Sequence, residues 1–220
     1  MKGLSGKALL DYKQHLVLKP DQHDLIIGLI LGDGSMRLPG RSHHANITIE
    51  HGEEQKEYVW WKYGRSKEWV LTPPNRISPA LSQSRTRTLA SRRFSTITHP
   101  ALTSYYELFY RNGIKTIPEN MSDLLAHPLT LAVWLMDDGN RNKDVLFLST
   151  QNFTLKEQER LQHCLWGRVG IDSTLNFHSH SKGEKLYWIR LTREGSQRAA
   201  QLVLPYIIPS LTYKFSAIPL

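Results

Sequence analysis

Leu25-Ile26-Ile27-Gly28-Leu29-Ile30-Leu31-Gly32-Asp33-Gly34 and Leu129-Thr130-Leu131-Ala132-Val133-Trp134-Leu135-Met136-Asp137-Asp138-Gly139 make the same statement twice. Each is an apolar run, long enough for about three helical turns, that ends in an acid followed by glycine. Glycine just past a helix end is the usual left-handed cap, so Gly34 and Gly139 place Asp33 and Asp138 in the last turns of their helices. A carboxylate is out of place there, because the helix C-terminus carries roughly half a negative charge and unpaired carbonyls. Two apolar helices in one small protein pack on each other, which brings both acid ends together. Two carboxylates, two negative helix ends and free carbonyl oxygens form an all-oxygen cage that suits a hard divalent cation such as Mg²⁺.

The rest of the chain narrows the setting. A chain of 220 residues with 40% hydrophobic content can bury a sizeable core as one domain or two small ones. No run of roughly 18 apolar residues suggests a membrane span. The N-terminus leads into polar sequence without the apolar segment and cleavage site of a secretory signal. A single cysteine, Cys164, excludes an internal disulfide and a Cys-based zinc site, and reads as a buried helix residue. The expected setting is intracellular, in an organelle (chloroplast or mitochondrion) or the bacterial cytoplasm. Net charge is +8 with a pI near 9.6, the footprint of a polyanion binder. That charge is spread along the chain, which favours a broad binding face on a folded body.

Taken in order, residues 4–16 read as an amphipathic helix with Leu4, Ala8, Leu9, Tyr12 and Leu16 on one side, and Asp21 as the N-cap of the first motif helix. Gly28 and Gly32 fall on one face of that helix, where their cost to helix stability points to the close approach of another backbone. Residues 45–50 alternate as a strand with one face free, and residues 53–63 have helical spacing with Tyr58, Trp60 and Trp61 in the core. His43, His44 and His51 lack metal-ligand spacing and read as surface or backbone-contacting histidines. Arg76, Arg85, Arg87, Arg92 and Arg93 punctuate two or three short strands rich in Ser and Thr, a phosphate- and base-contacting composition.

The same sequence of elements then repeats. Pro128 starts the second motif helix, residues 145–151 read as a strand, and Thr154 with Glu157 makes a capping box for a helix running toward Arg168. Strands near 173–178 and 185–191 and a helix from Glu194 to about Leu204 complete the copy. Lys115 and Lys214 stand near the ends of the two copies at comparable distances from Asp33 and Asp138. The duplication divides the chain into an N-terminal half, 12–117, and a C-terminal half, 118–216.

These residues resemble the LAGLIDADG homing endonucleases, in particular the monomeric two-motif type encoded within group I introns. Residues 26–34 match the family motif well. The second copy, 131–139, keeps the acid and final glycine but has Val133 and Asp137 at the small positions. Residues 69–74, 115–118, 134–139 and 213–214 are similar to further stretches of the family in the same order. The resemblance implies an α+β fold: two pseudo-symmetric αββαββα halves with antiparallel saddle-shaped sheets and a central two-helix interface.

It also implies a function, site-specific hydrolysis of both strands of a long asymmetric DNA target by a divalent-metal-dependent endonuclease acting as a monomer. Asp33 and Asp138 would hold the metal, helped by Gly32 and Asp137 through their carbonyls, with Mn²⁺ substituting for Mg²⁺ and Ca²⁺ binding without supporting cleavage. Lys115 and Lys214 match the family's ancillary basic positions, and Glu50 and Gln151, at the ends of the first strands, would orient the attacking water. The recognition surface would comprise Arg37, Arg41, Asn46, Thr48, Arg76, Arg85, Arg87, Arg92 and Arg93 in the first half. In the second half it would comprise Arg141, Asn176, His178, Lys182, Lys185 and Arg190. One alternative keeps the fold and changes the partner: an RNA-binding maturase assisting group I intron splicing. A purely DNA-binding regulator would have no need of the acid pair.

Overall fold

A computed structural model of the chain describes residues 6–40, 42–78, 89–181 and 183–219. The candidate contacts Arg41, Arg85, Arg87 and Lys182 lie outside the described residues. Two compact units emerge, one of Met1–His23 with Asp33–Glu107 and one of Asp24–Gly32 with Leu108–Leu220.

An αββαββα order occurs twice. The first copy runs α2 (Pro20–Leu31), β1 (Ser35–Arg37), β2 (Asn46–Gly52), α3 (Lys56–Ser66), β3 (Asn75–Ile77), β4 (Ser91–Ser95) and α4 (Pro100–Phe109), preceded by α1 (Gly6–Gln14). The short hairpin β5 (Tyr110–Arg111) and β6 (Ile114–Lys115) and the single turn α5 (Met121–Leu124) follow. The second copy runs α6 (Pro128–Asp138), β7 (Gly139–Asn142), β8 (Val145–Leu148), α7 (Leu155–Val169), β9 (Ser173–Ser181), β10 (Glu184–Leu191) and α8 (Arg193–Val203). Each copy builds a four-stranded antiparallel sheet, in the orders β1-β2-β4-β3 and β7-β8-β10-β9.

In the first unit, burial alternates along β2: Ile47, Ile49 and His51 are buried while Asn46, Thr48 and Glu50 are partly open. That is the period of two expected of a sheet with one covered face. Ile47, Ile49 and Phe94 meet Tyr58 and Val59 of α3 in the core, and Trp69 donates its indole N–H to Gln22 Oε1 at 3.1 Å. Trp60, expected inside, is 44% exposed, because α3 turns the face bearing Tyr58, Val59 and Lys62 to the sheet. Helix α2 begins at Pro20, so Asp21 lies in its first turn and is not its N-cap.

In the second unit every residue of α6 from Leu129 to Met136 is buried, as an all-round apolar helix demands. The Asp24–Gly32 stretch of α2 belongs to this unit and packs on α6. A Cβ at Gly28 would stand 2.7 Å from both Thr130 O and Val133 Cβ, and one at Gly32 would stand 2.5 Å from Asp137 Cβ. Thr130 Oγ1 also donates to Asp24 O at 3.1 Å. The bulk of Val133 and Asp137 therefore occupies the room that the two glycines leave. This packing explains why the motif helix clusters with the second unit although it precedes the first unit's sheet in the chain. The capping box at α7 is complete, and its C-cap Gly170 is left-handed at φ 66°. Cys164 is buried in that helix, as its sequence suggests.

Gly139 departs from the expected left-handed cap. Its φ is −74° and it opens strand β7 directly. Glycine is required there for a different reason: a Cβ would lie 2.2 Å from Leu135 O. Gly34 likewise leads straight into β1, and Asp33 sits in the turn beyond the last residue of α2. Strand β8 stops at Leu148, leaving Gln151 in the turn that follows.

Candidate active site

The helix end formed by Gly28 to Gly32 continues its hydrogen bonding to the last residue, with Gly32 N donating to Gly28 O at 3.0 Å. Lys115, half-buried in β6, aims its ammonium at Gly32 O from 2.8 Å. The second helix end has the same device. Lys214, in a 3₁₀ segment Pro209–Lys214 and only 8% exposed, places Nζ 2.7 Å from Met136 O and 3.4 Å from the carbonyls of Leu135 and Asp137. A cation at a helix C-terminus satisfies the unpaired carbonyls and opposes the helix dipole. Both lysines thus stand at the ends from which the motif acids project.

Asp33 follows Gly32 and carries a side chain 47% exposed; its Oδ2 lies 3.6 Å from His51 Nδ1, and the His51 side chain is 4% exposed. Asp138 is the last residue of α6 and is half-buried, its main-chain oxygen accepting from Ser149 N at 3.1 Å. Carboxylates and helix-end carbonyls are hard donors of the type Mg²⁺ and Mn²⁺ prefer. Gly32 O and, at 3.4 Å, Asp137 O accept from the lysine ammonium groups. The residues present therefore fit a divalent ion.

Glu50, expected from the sequence to orient water, has side-chain partners of its own. It lies on the open face of β2, where it accepts from Ser91 Oγ at 2.5 Å and from Arg93 Nε at 2.7 Å. Burial alone would raise its carboxyl, but these hydrogen bonds and the Arg93 charge outweigh burial and hold it below the usual range. The neighbouring His51 faces Asp33. Strand alternation was the signal for it, since Ile47 and Ile49 fix the covered face and His51 is the next residue on that face. Gln151 has a buried Oε1 without a hydrogen-bond partner.

On the first sheet, register places Arg37 opposite Asn46 and Arg93 opposite Glu50 and Asn75, so Arg37, Asn46, Thr48 and Arg93 share the open face. Arg92 pairs with His51 and Arg76 with Arg92, which puts both on the other face. There Arg92 Nη2 lies 2.7 Å and Arg76 Nε 4.0 Å from the Glu53 carboxylate. On the second sheet Asn176 pairs with Trp188, and Arg190 with Thr174 and Phe147, on one face. His178 packs its ring 4.7 Å from that of Trp188. Lys185 pairs with His180 near the exposed turn. Arg141 pairs with buried Leu146, the opposite parity, and donates to Lys143 O at 2.7 Å.

The family described as LAGLIDADG DNA endonuclease matches residues 23–198. The chain belongs to this family of DNA-cleaving hydrolases, which use divalent metal ions. It is 25% identical over 210 residues to the DNA endonuclease I-ChuI of Chlamydomonas applanata, covering 90% of this chain and 96% of that protein. Against the cytochrome b mRNA maturase bI2 of Debaryomyces hansenii it is 34% identical over 123 residues, 56% of this chain and 45% of that protein. The chain thus spans less than half the length of that maturase. Among solved structures, the homing endonuclease I-WcaI bound to its DNA recognition sequence superposes with a TM-score of 0.83, at 26% identity and over 99% of this chain and 96% of that one.

Proposed function

We propose that this chain is a site-specific homing endonuclease that hydrolyses both strands of a long, asymmetric DNA duplex, working as a monomer with Mg²⁺. The observation that carries the reading is the repeated helix end, at which an acid emerges beside carbonyls held by a lysine ammonium. A carboxylate in that place is costly unless a cation is bound, and its occurrence in both copies matches the need to cut two strands.

Asp33 and Asp138 would hold the metal ions, with Gly32 O and Asp137 O beside them. Bound there, a divalent ion lowers the pKa of water and neutralises charge on the phosphate oxygens. Lys115 and Lys214 fix the helix ends that present the acids and add positive potential where negative charge develops on the scissile phosphate. Arg37, Asn46, Thr48 and Arg93 on one sheet, and Asn176, His178 and Arg190 on the other, present donors and acceptors to base edges and phosphates. The sets proposed for halves 12–117 and 118–216 are not the same residues, which supports an asymmetric target.

Incubating the protein with intron-free host DNA and Mg²⁺, and sequencing the ends produced, tests this reading. One discrete double-strand break supports it, and intact DNA under saturating protein contradicts it. The similarity to the bI2 maturase supports a second reading, assistance to group I intron splicing. Tighter binding to intron RNA than to any duplex, without cleavage, would establish that reading. An organelle or a bacterial cytoplasm is the proposed setting, and no helix among the described residues is long and apolar enough to cross a membrane.

A further inference from the structure

Lys62 is fully buried in the first unit, at 0% exposure, and His51 at 7%. Lys62 Nζ lies 2.7 Å from His51 Nε2 and 4.0 Å from the centroid of the Tyr58 ring. The Tyr58 ring in turn packs against His51 at 5.1 Å between centroids, so the imidazole is held on one edge by the ammonium and on one face by the phenol. Its other edge, Nδ1, faces Asp33 Oδ2 across 3.6 Å. A buried lysine of this kind has a high desolvation cost, which a cation–π contact and a charged hydrogen bond only partly offset. Its placement is explained by what it does to His51.

We propose that Lys62 is a positioning residue for the cleavage centre, holding the His51 ring through Nε2 so that Nδ1 presents an N–H to the Asp33 carboxylate and offers no lone pair to a metal ion. An ammonium can only donate, so the 2.7 Å contact takes up the Nε2 lone pair and leaves the ring hydrogen on Nδ1. The 3.6 Å gap to Asp33 is longer than a direct hydrogen bond; a bridging water or a small rotation of the exposed carboxylate closes it. Oriented from behind in this way, the Asp33 carboxylate is held in one orientation for a metal ion. The arrangement is the carboxylate counterpart of the hydrogen bonds that set the orientation of metal ligands elsewhere.

The inference rests on the endonuclease reading for its effect on cutting, but the ring hydrogens can be read without any cleavage. Lys62→Met preserves length and removes the donor; Lys62→Gln keeps a donor. Cutting is measured as a single-turnover rate at saturating duplex and Mg²⁺, in Lys62→Met, His51→Ala and the double variant. The expected result is a loss of about 10–100-fold in Lys62→Met with duplex affinity unchanged, recovery to within about 3-fold in Lys62→Gln, and no further loss when Lys62→Met is added to His51→Ala. Losses that simply multiply in the double variant would overturn the proposal. Nitrogen NMR of the labelled His51 ring supplies the second readout. Nδ1 protonated before and after Mg²⁺ addition is expected, and an unprotonated or metal-bound Nδ1 would overturn it even in a protein that cuts no DNA.

Discussion

Lys214 Nζ stands 2.7 Å from Met136 O, closing from a buried position the helix end that carries Asp138. Lys115 does the same to Gly32 O at 2.8 Å, one residue before Asp33. The lysines are therefore part of the scaffold that presents the acids, as well as a source of charge at the site. Their removal should be felt in stability and in cutting together.

For Lys214→Met the expected cost is about 1–3 kcal/mol of folding stability, because several carbonyls lose a charged donor. Lys115→Met, at a half-exposed position with one acceptor, should cost less. Both should slow cutting while duplex affinity changes little. Urea unfolding and single-turnover cleavage of each variant measure the two effects, and a Lys214→Met protein of wild-type stability would remove the capping role.

Close contact between the motif helices should make Gly28 intolerant of side chains. A Cβ there stands 2.7 Å from the Thr130 carbonyl, a main-chain atom that cannot swing aside. Gly28→Ala should cost about 1–3 kcal/mol, and Gly28→Val more. Gly64, with nothing within 4 Å of its Cβ position, is the control, and Gly64→Ala should be neutral or stabilising. Thermal unfolding of the three variants decides, and equal midpoints for Gly28→Ala and Gly64→Ala would contradict the contact.

Glu50 predicts a pH dependence. Its carboxyl lies below its ordinary value of 4.5 in the folded protein, because hydrogen bonds from Ser91 and Arg93 overcome burial. A lowered carboxyl contributes stability that is fully present above the unfolded value and lost as pH falls through the folded one. Glu50→Gln should therefore be less stable than wild type near neutral pH, and the gap should close as pH falls below 4.5. A gap independent of pH would show that the ion pair is not its source.

The same substitution should alter DNA binding. Freed from Glu50, Arg93 can neutralise a phosphate on the open face, so Glu50→Gln should bind non-cognate duplex more tightly and with a steeper fall in affinity against salt. Fluorescence anisotropy across a salt series reports the slope. An unchanged slope would place Arg93 outside the interface.

The elements that sequence made legible were those governed by local rules. Apolar runs ending in acids marked α2 and α6, Thr154 and Glu157 marked the head of α7, and alternation marked β2. What was not legible depended on partners distant in the chain. Gly139 looked like a left-handed cap but is glycine because the Leu135 carbonyl crowds its Cα, and both demands leave the same letter. Arg76 and Arg92 carry no mark in the sequence of their partner, and strand register sets both beside Glu53. His51 was within reach of the sequence. Counting in steps of two from Ile47 along the covered face leads to it.

Asp33 and Asp138 as carriers of the cleavage chemistry are put to the test by mapping cuts in intron-free host DNA made with Mg²⁺ by wild type, Asp33→Asn, Asp138→Asn and the double variant. The expected result is one discrete cut site for wild type, near-complete loss of cutting in each variant, and duplex binding retained throughout. A double variant that cut the same site at the wild-type rate would contradict it.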